Sequence, residues 1–500
     1  MISVKLSRPA ACVAALMTAP AAFADVTPEQ VWDNWKANFA LYGEDAATIA
    51  NEDISVDSVV ISGLTLKSAD PEISATTSIA ELTFTANGDG TVSVTMPETY
   101  VVTFDIPEDN GAIELLVTQT NLSLTASGDP GAINYAFAAD DYTLEVVEIR
   151  GDAAEIEGEF KVTATDLAGN YLVNDSNGLQ TTYDLTTGGL DLLLDVKDPS
   201  SDDFFVLGGQ MTDITTTGEI VIPEGADIND PDTFLASDFR FASETGFGGS
   251  AFLFDVLGGG TAAAGSMQMG GAAFGGGVGG DDLAYNFSLS DVALNVQSPV
   301  MPFPIDVSWG IIENSLQMPV TASEEPAPFS YTLSLTDVVV SEEIWSMGDP
   351  AAVLPRDPVS VALDVSGMAK LFFDIMDPEQ AEALEFAEVP GELISLAINS
   401  IRLAGVGAEI TATGDFTFDN TDLETFDGLP RPAGEINVGI TGANALIDNL
   451  IAMGLLPQEQ ATMGRMFMGM FTQPAGNDAL TSKIEINDQG HILANGQRIQ

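Results

Sequence analysis

The chain has 500 residues, of which 75 are acidic and 15 are basic, and its formal net charge is −60. A surface of that charge repels the phosphates of nucleic acids and of anionic lipid headgroups, so a nucleic-acid partner is excluded. Hydrophobic residues still make up 45% of the chain, which excludes a disordered acidic tail and requires a large core or an apolar surface that faces a ligand.

Residues 1–24 have the three parts of a secretory signal peptide. Lys5 and Arg8 precede an apolar stretch from Ala10 to Met17, and Ala22-Phe23-Ala24 offers a small-x-small cleavage site. The apolar stretch is too short to span a bilayer as a helix. We therefore predict an exported, periplasmic protein with no integral membrane segment after cleavage. The chain's one cysteine leaves with the signal, so the mature protein can form neither a disulfide nor a thiolate metal site.

A helix is predicted at the start of the mature chain. Thr27 and Gln30 have the spacing of a capping box, and Pro28 suits the first helical turn. Apolar residues then recur at near-helical spacing; they are Val31, Trp32, Trp35, Phe39 and Tyr42. A tryptophan pair can mark a binding site, but we expect this aromatic face to fix the helix to a sheet.

From about residue 54 to residue 221 the apolar residues alternate with polar ones. Leu82 and Phe84 lead into the turn Asn87-Gly88-Asp89-Gly90, and Val92 and Val94 lead out of it. Alternating runs joined by such turns predict antiparallel hairpins. Many of them in succession predict a meander with one apolar face.

Residues 245–281 are rich in glycine, alanine and methionine and carry almost no charge. This composition favours a flexible insert that divides the mature chain into two β halves, residues 25–244 and 282–500. The second half repeats a pattern, because Tyr285–Val292 and Tyr331–Val338 both break their alternation at a Ser-Asp or Thr-Asp pair. Such a break is typical of a β-bulge and suggests a sheet built from similar units.

Near the C-terminus, residues 444–471 read as a helical hairpin. Its second arm carries four methionines, which are Met463, Met466, Met468 and Met470. A methionine stripe can form an adaptable binding surface. Core packing is the more common outcome, and we expect it here.

The late motifs resemble a known family. They include Ala412-Thr413-Gly414-Asp415-Phe416, Pro432–Val438, Ala445–Leu450 and Ile484–Gly490 in this order. The order is similar to that of the DUF2125 family of uncharacterised exported proteins of alphaproteobacteria. The resemblance implies export and an extended β architecture, and it implies no activity or site residue.

Residues typical of catalysis are sparse. The mature chain has one histidine, His491, and no Gly-x-Ser-x-Gly elbow, so neither a His/Cys zinc site nor a standard serine hydrolase is predicted. Gly246-Phe247-Gly248 only half-matches a dinucleotide loop. We predict a non-enzymatic protein with no catalytic residue, cofactor or metal ligand assigned.

Calcium is the metal that the acidic composition makes worth considering. Gly276–Ala284 matches the calcium-binding nonapeptide of parallel β-helices, but a single copy supplies only part of a coordination shell. Asp227–Asp232 and Asp419–Asp422 are two further acidic clusters, neither with EF-hand spacing. We favour the end of a glycine-rich insert over a metal site at Gly276–Ala284.

The sequence therefore predicts a mainly β (α+β) fold. It consists of an extended, curved antiparallel meander sheet, an N-terminal helix and a C-terminal helical hairpin. The predicted function is binding of a lipid or another apolar ligand on the sheet. The alternative is an acidic structural or surface protein that calcium stabilises.

Overall fold

A computed structural model describes most of the chain. The described residues are 25–40, 43, 45–68, 74–106, 111–151, 157–175, 178–226, 239–279, 282–377, 380 and 389–500. The predicted signal peptide and the acidic cluster Asp227–Asp232 lie outside these residues.

The described residues form four helices and 26 strands. The helices are α1 (Pro28–Ala40), α2 (Glu342–Gly348), α3 (Ala443–Ala452) and α4 (Gln458–Phe471). The strands of the first half are β1 (Ala47–Ile54), β2 (Ser58–Lys67), β3 (Ser74–Ala86), β4 (Val92–Thr95), β5 (Thr99–Ile106), β6 (Gly111–Thr120), β7 (Ser123–Asp129), β8 (Ala132–Arg150), β9 (Glu157–Asn174), β10 (Leu179–Lys197), β11 (Phe204–Ile222) and β12 (Arg240–Phe247). Those of the second half are β13 (Ser250–Gly258), β14 (Thr261–Met269), β15 (Gly271–Gly279), β16 (Asp282–Gln297), β17 (Ile305–Pro319), β18 (Ala327–Val340), β19 (Val359–Leu371), β20 (Gly391–Gly405), β21 (Ala408–Asp419), β22 (Arg431–Thr441), β23 (Gln473–Gly476), β24 (Ala479–Ile486), β25 (Ile492–Ala494) and β26 (Gln497–Arg498).

All 26 strands belong to one antiparallel sheet, which confirms the predicted meander. Neighbours in the sheet are neighbours in the chain, with two kinds of exception. One occurs where two short strands lie end to end beside one long strand, and the other is the pairing of β22 with β24, between which the chain forms α3, α4 and β23. In the first kind, β12 and β13 both pair with β11, and β14 and β15 both pair with β16. Apart from the connection from β22 to β24, the described part of the sheet is therefore built from local hairpins.

The predicted flexible insert at residues 245–281 is wrong for the residues that the structure describes. Residues 250–279 lie in β13, β14 and β15, and these strands join β11 to β16. Glycine and alanine hide the alternation that marks a strand, whereas the backbone hydrogen bonds of a sheet need no side chain. The two halves are consequently parts of one continuous sheet.

Helix α1 covers one face of the sheet at its N-terminal end, as its aromatic spacing predicted. Its Trp32 is fully buried and lies 5.6 Å from the Phe84 ring. The capping box forms, since Thr27 N donates to Gln30 Oε1 at 2.9 Å and Gln30 N donates to Thr27 Oγ1 at 3.3 Å. The core beneath α1 comes from β2, β3, β4, β7, β8 and β9. Burial of this kind stabilises by about 1.5–3 kcal/mol for each large apolar side chain.

Aspartates in left-handed backbone conformation interrupt several long strands. Asp291 has φ of 49° and Asp337 has φ of 52°, at the two breaks that the sequence predicted. Asp166 and Asp213 adopt the same conformation, with φ of 52° and 53°. Each of the four shifts the alternation by one residue, so that apolar side chains resume their pattern beyond the break.

Helices α3 and α4 form the predicted hairpin after β22. The N-terminus of α3 has no side-chain cap from its own Gly442, and Asp478 supplies one instead. Its carboxylate accepts from Asn444 N at 3.1 Å and from Ala445 N at 2.9 Å. Arg465 of α4 donates to Asp448 of α3 at 2.7 Å and so ties the two helices together.

Candidate ligand-binding face

Apolar side chains lie in continuous rows across one face of the sheet. One row passes from β15 to β22 through residues that are directly opposite one another. It consists of Phe274, Phe287, Asn314, Leu333, Leu363, Ile401, Ala412 and Val438. A second row, two residues along each strand, consists of Ala272, Leu289, Ile312, Leu335, Val361, Leu403, Ile410 and Ile440. We call the face that carries these two rows the apolar face.

The apolar face changes from covered to exposed along the sheet. Beneath α1, Ile61 and Phe84 are completely buried. Further along, Phe274 is 40% exposed, Leu333 38% and Val361 39%. Leu333 and Val361 lie on the adjacent strands β18 and β19. Large apolar side chains exposed in adjacent strands form a contiguous patch, which marks a binding surface more often than chance exposure does.

The polar groups within the exposed part are paired with one another. Asn314 lies in the apolar row between Phe287 and Leu333, where an unpaired amide would resist an apolar ligand. Its Oδ1 accepts from the Tyr285 hydroxyl at 2.6 Å, and its Nδ2 donates to the Tyr331 hydroxyl at 3.0 Å. The pairing lowers the cost of placing a hydrocarbon chain over this position.

The opposite face is polar and contains a shallow groove of about 980 Å³. Its floor includes Gly275 and Gly277, and Thr217, Asn286 and Ser315 contribute polar side chains. The groove is wide because glycine leaves the backbone uncovered on this side of β15. The two faces of the sheet thus differ in chemistry over the same strands.

The nonapeptide match at Gly276–Ala284 lies at a β-hairpin. Gly276 to Gly279 end β15, Asp282 begins β16 opposite Gly279, and residues 280–281 lie outside the described part of the chain. The Asp282 carboxylate accepts from Gln317 Nε2 at 3.0 Å. This geometry differs from that of a parallel β-helix, in which successive coils of the same repeat face one another.

In the acidic cluster Asp419–Asp422, the guanidinium group of Arg431 pairs with both aspartates. Arg431 Nη2 lies 2.7 Å from Asp419 Oδ2, and its Nε lies 2.8 Å from Asp422 Oδ2. Hydrogen bonds from Thr421 and then Arg431 lower the pKa of Asp419, and those from Thr425 and then Arg431 lower the pKa of Asp422. In the described residues, this cluster included, no group of three or more His, Cys, Asp or Glu side chains is arranged to hold a metal ion.

The chain's single histidine, His491, lies in the turn between β24 and β25. Its backbone N donates to Asn487 Oδ1 at 3.1 Å, and its carbonyl accepts from Asn487 N at 3.1 Å. The described contacts of His491 are therefore those of a turn residue.

Three of the four methionines of the α4 stripe are exposed and Met468 is half-buried, so the prediction that the stripe forms core is wrong. Met463 is 53% exposed, Met466 57% and Met470 62%. Phe467, between them, is 53% exposed, and only Ala461 of this helix is buried. The spacing of the methionines could not show which side of the helix would meet the sheet.

No helix in the described residues is both long and apolar enough to cross a bilayer. These features define a protein made of one long antiparallel sheet with a polar face and a partly uncovered apolar face. The family described as "Uncharacterized protein conserved in bacteria (DUF2125)" matches residues 244–493, which is half of the chain, and the protein belongs to this family. Comparisons with curated proteins and with solved structures give no match.

Proposed function

We propose that this protein is a non-enzymatic, exported protein that binds a lipid or another apolar ligand on the apolar face. The observation that carries the proposal is the pair of apolar rows, whose members Phe274, Leu333 and Val361 stay 38–40% exposed. The net charge of −60 accounts for the solubility of the chain, and an exposed apolar surface adds nothing to it. Covering it with hydrocarbon removes apolar area from water, which is favourable by about 25 cal/mol per Å².

The dimensions of the face favour long hydrocarbon chains. Neighbouring strands lie about 4.8 Å apart, so the eight strand positions from β15 to β22 extend over about 34 Å. That exceeds the about 30 Å of a bilayer's hydrocarbon core, which two acyl chains span end to end. A ligand with one or more long acyl chains therefore fits better than a compact apolar molecule.

The predicted signal peptide supports a periplasmic location, where lipids in transit need protection from water. Lys5, Arg8 and the site after Ala24 carry this part of the proposal. N-terminal sequencing of the protein from a periplasmic extract should begin at Asp25. An intact Met1 in the cytosolic fraction would refute the location without affecting the ligand.

Ligand binding is tested with native mass spectrometry and with uptake of a fluorescent long-chain fatty acid. We expect the wild-type protein to bind, and to bind a 16-carbon chain more tightly than an 8-carbon chain, because each buried CH₂ contributes up to about 0.8 kcal/mol. Phe274→Ser together with Leu333→Ser should reduce uptake. The control is Leu253→Ser, because Leu253 is 67% exposed on the polar face. Equal loss in control and test, or no uptake by the wild type, rejects the proposal.

A further inference from the structure

A second exposed apolar surface lies on the α3–α4 hairpin. Met463, Met466, Phe467 and Met470 are spaced three and four residues apart, so they lie along one side of α4. Leu455, in the turn between the two helices, is 65% exposed. We call these five residues the hairpin patch.

The hairpin is almost uncharged within a strongly acidic protein. Residues 443–471 contain only Asp448, Glu459 and Arg465 as charged side chains, and Arg465 is paired with Asp448 at 2.7 Å. The rest of the chain carries nearly all of the net charge of −60. A neutral surface can therefore approach the protein at the hairpin without the repulsion that an anionic surface meets elsewhere.

The size of the patch argues against a second copy of this chain as the occupant. Five large side chains that are each more than half exposed present roughly 500 Å² in total. A stable protein–protein interface needs about 800 Å² from each partner. An amphipathic helix at a lipid surface needs no complementary partner, because its apolar side sinks about 5–10 Å into the boundary between headgroups and acyl chains.

The hairpin is fixed next to the apolar face. The carbonyl of Phe471, the last residue of α4, accepts from Ser482 Oγ at 2.6 Å and from Asn495 Nδ2 at 2.9 Å. Ser482 pairs with Val438, a member of the first apolar row. A bilayer that contacts the hairpin would therefore lie close to the end of the apolar face.

We propose that the α3–α4 hairpin docks on the surface of an uncharged phospholipid bilayer through the hairpin patch. This inference goes beyond the proposed function, because it concerns a bilayer at the hairpin, whereas the proposed function concerns a ligand on the apolar face. The two are tested separately, by docking on vesicles and by uptake of a free fatty acid. Apolar burial drives the docking, and the charge of the remaining chain opposes it on anionic membranes.

Flotation with phosphatidylcholine vesicles tests the proposal. We expect the wild type to float with the vesicles, and Met466→Glu with Phe467→Glu to lower the partition coefficient at least tenfold. The matched control is Met347→Glu, because Met347 is 75% exposed on α2 and should float like the wild type. Vesicles containing phosphatidylglycerol should bind less protein at low salt and more as salt screens the repulsion.

Fatty-acid uptake by the double variant should equal that of the wild type, which separates this inference from ligand binding on the sheet. If the double variant has a lower melting temperature than the wild type, Met466→Gln with Phe467→Gln is used instead. This second variant removes the same apolar side chains without adding charge. Failure of the wild type to float overturns the proposal, as does equal flotation of wild type and variants. A wild-type dimer in solution that the double variant abolishes, without vesicle binding, assigns the patch to self-association and also overturns it.

Discussion

Asp291 lies directly beside Gly270, so that a Cβ on the glycine would stand 2.9 Å from Asp291 Oδ2. Asp337 and Gly310 repeat this relationship on the next strand pair, with the added Cβ 3.1 Å from the Asp337 Cβ. Each left-handed aspartate is thus accommodated by a residue without a side chain on the neighbouring strand. The breaks that keep apolar residues on one face depend on both members of the pair.

Gly270→Ala should therefore destabilise the protein. The added methyl group meets the Asp291 carboxylate, and overpacking of this kind costs about 1–3 kcal/mol. Gly208→Ala is the control, since a Cβ at this strand position meets nothing within 4 Å. Urea denaturation measures both, and equal midpoints would refute the role of the pair.

Two substitutions of Asp291 should show whether its backbone conformation or its charge matters for stability. Asp291→Asn keeps a side chain that tolerates a positive φ, so we expect little change in stability. Asp291→Val places a β-branched residue at φ of 49°, where L-residues lose about 1–2 kcal/mol. Thermal melting of the two variants distinguishes them, and similar melting temperatures would contradict this explanation.

Arg431 should neutralise the carboxylates of Asp419 and Asp422, as a calcium ion between them would. Arg431→Met leaves the two carboxylates to repel each other, so we expect a lower melting temperature that added calcium partly restores. The wild type should melt at the same temperature in calcium and in chelator at equal ionic strength. A calcium-dependent shift in the wild type would instead favour the calcium-stabilised alternative.

Asp478 should make the stability of the hairpin depend on acid pH. Hydrogen bonds from the Ala445 backbone N–H and then from Asn444 hold the pKa of Asp478 below its usual value of 3.8. The contribution is therefore complete above about pH 4, and it is lost as the pH falls through the lower folded-state pKa. Asp478→Asn should destabilise the protein at pH 6, and the difference from wild type should shrink below pH 4. Calorimetry over this range checks it, and a constant difference would count against the cap.

Tyr171 should limit stability at alkaline pH. Burial raises the pKa of Tyr171 to about 12, and burial together with Tyr171 raises that of Tyr135 further. The two rings are stacked with their centroids 4.6 Å apart. A raised folded-state pKa gives stability that is complete below pH 10 and is lost as the pH rises from 10 through 12. Tyr171→Phe keeps the ring without the ionisable group and should move alkaline unfolding, followed by circular dichroism, to higher pH. An unchanged midpoint would show that other groups control it.

The fold was predictable wherever side chains carry the signal. The Thr27–Gln30 capping box and the alternation around Leu82 and Phe84 gave the helix and the hairpins correctly. The aspartate breaks at Asp166 and Asp213 were missed, although Thr165-Asp166-Leu167 and Thr212-Asp213-Ile214 share the pattern of Ser290-Asp291-Val292. Searching for a Ser/Thr-Asp-apolar triplet within an alternating run would have found both.

Other features depend on information that a local pattern lacks. The strand Gly271–Gly279 shows little alternation because most of its side chains are absent or a single methyl group. The exposure of Phe274 and the burial of Phe84 follow from where α1 lies, and both residues have the same alternating context. The exposed side of α4 has the same origin, since helical spacing is identical for a stripe that faces the sheet and one that faces away.

Pairing in chain order has a consequence for how such a sheet is made and how it can change in length. Each hairpin docks on the strand that was synthesised just before it, so most contacts close short loops and the entropy lost at each step is small. The sheet can therefore grow from its N-terminal end as the chain is synthesised. Adding or deleting a whole hairpin would leave the neighbouring strands in register, much as a repeat protein tolerates the gain or loss of one unit.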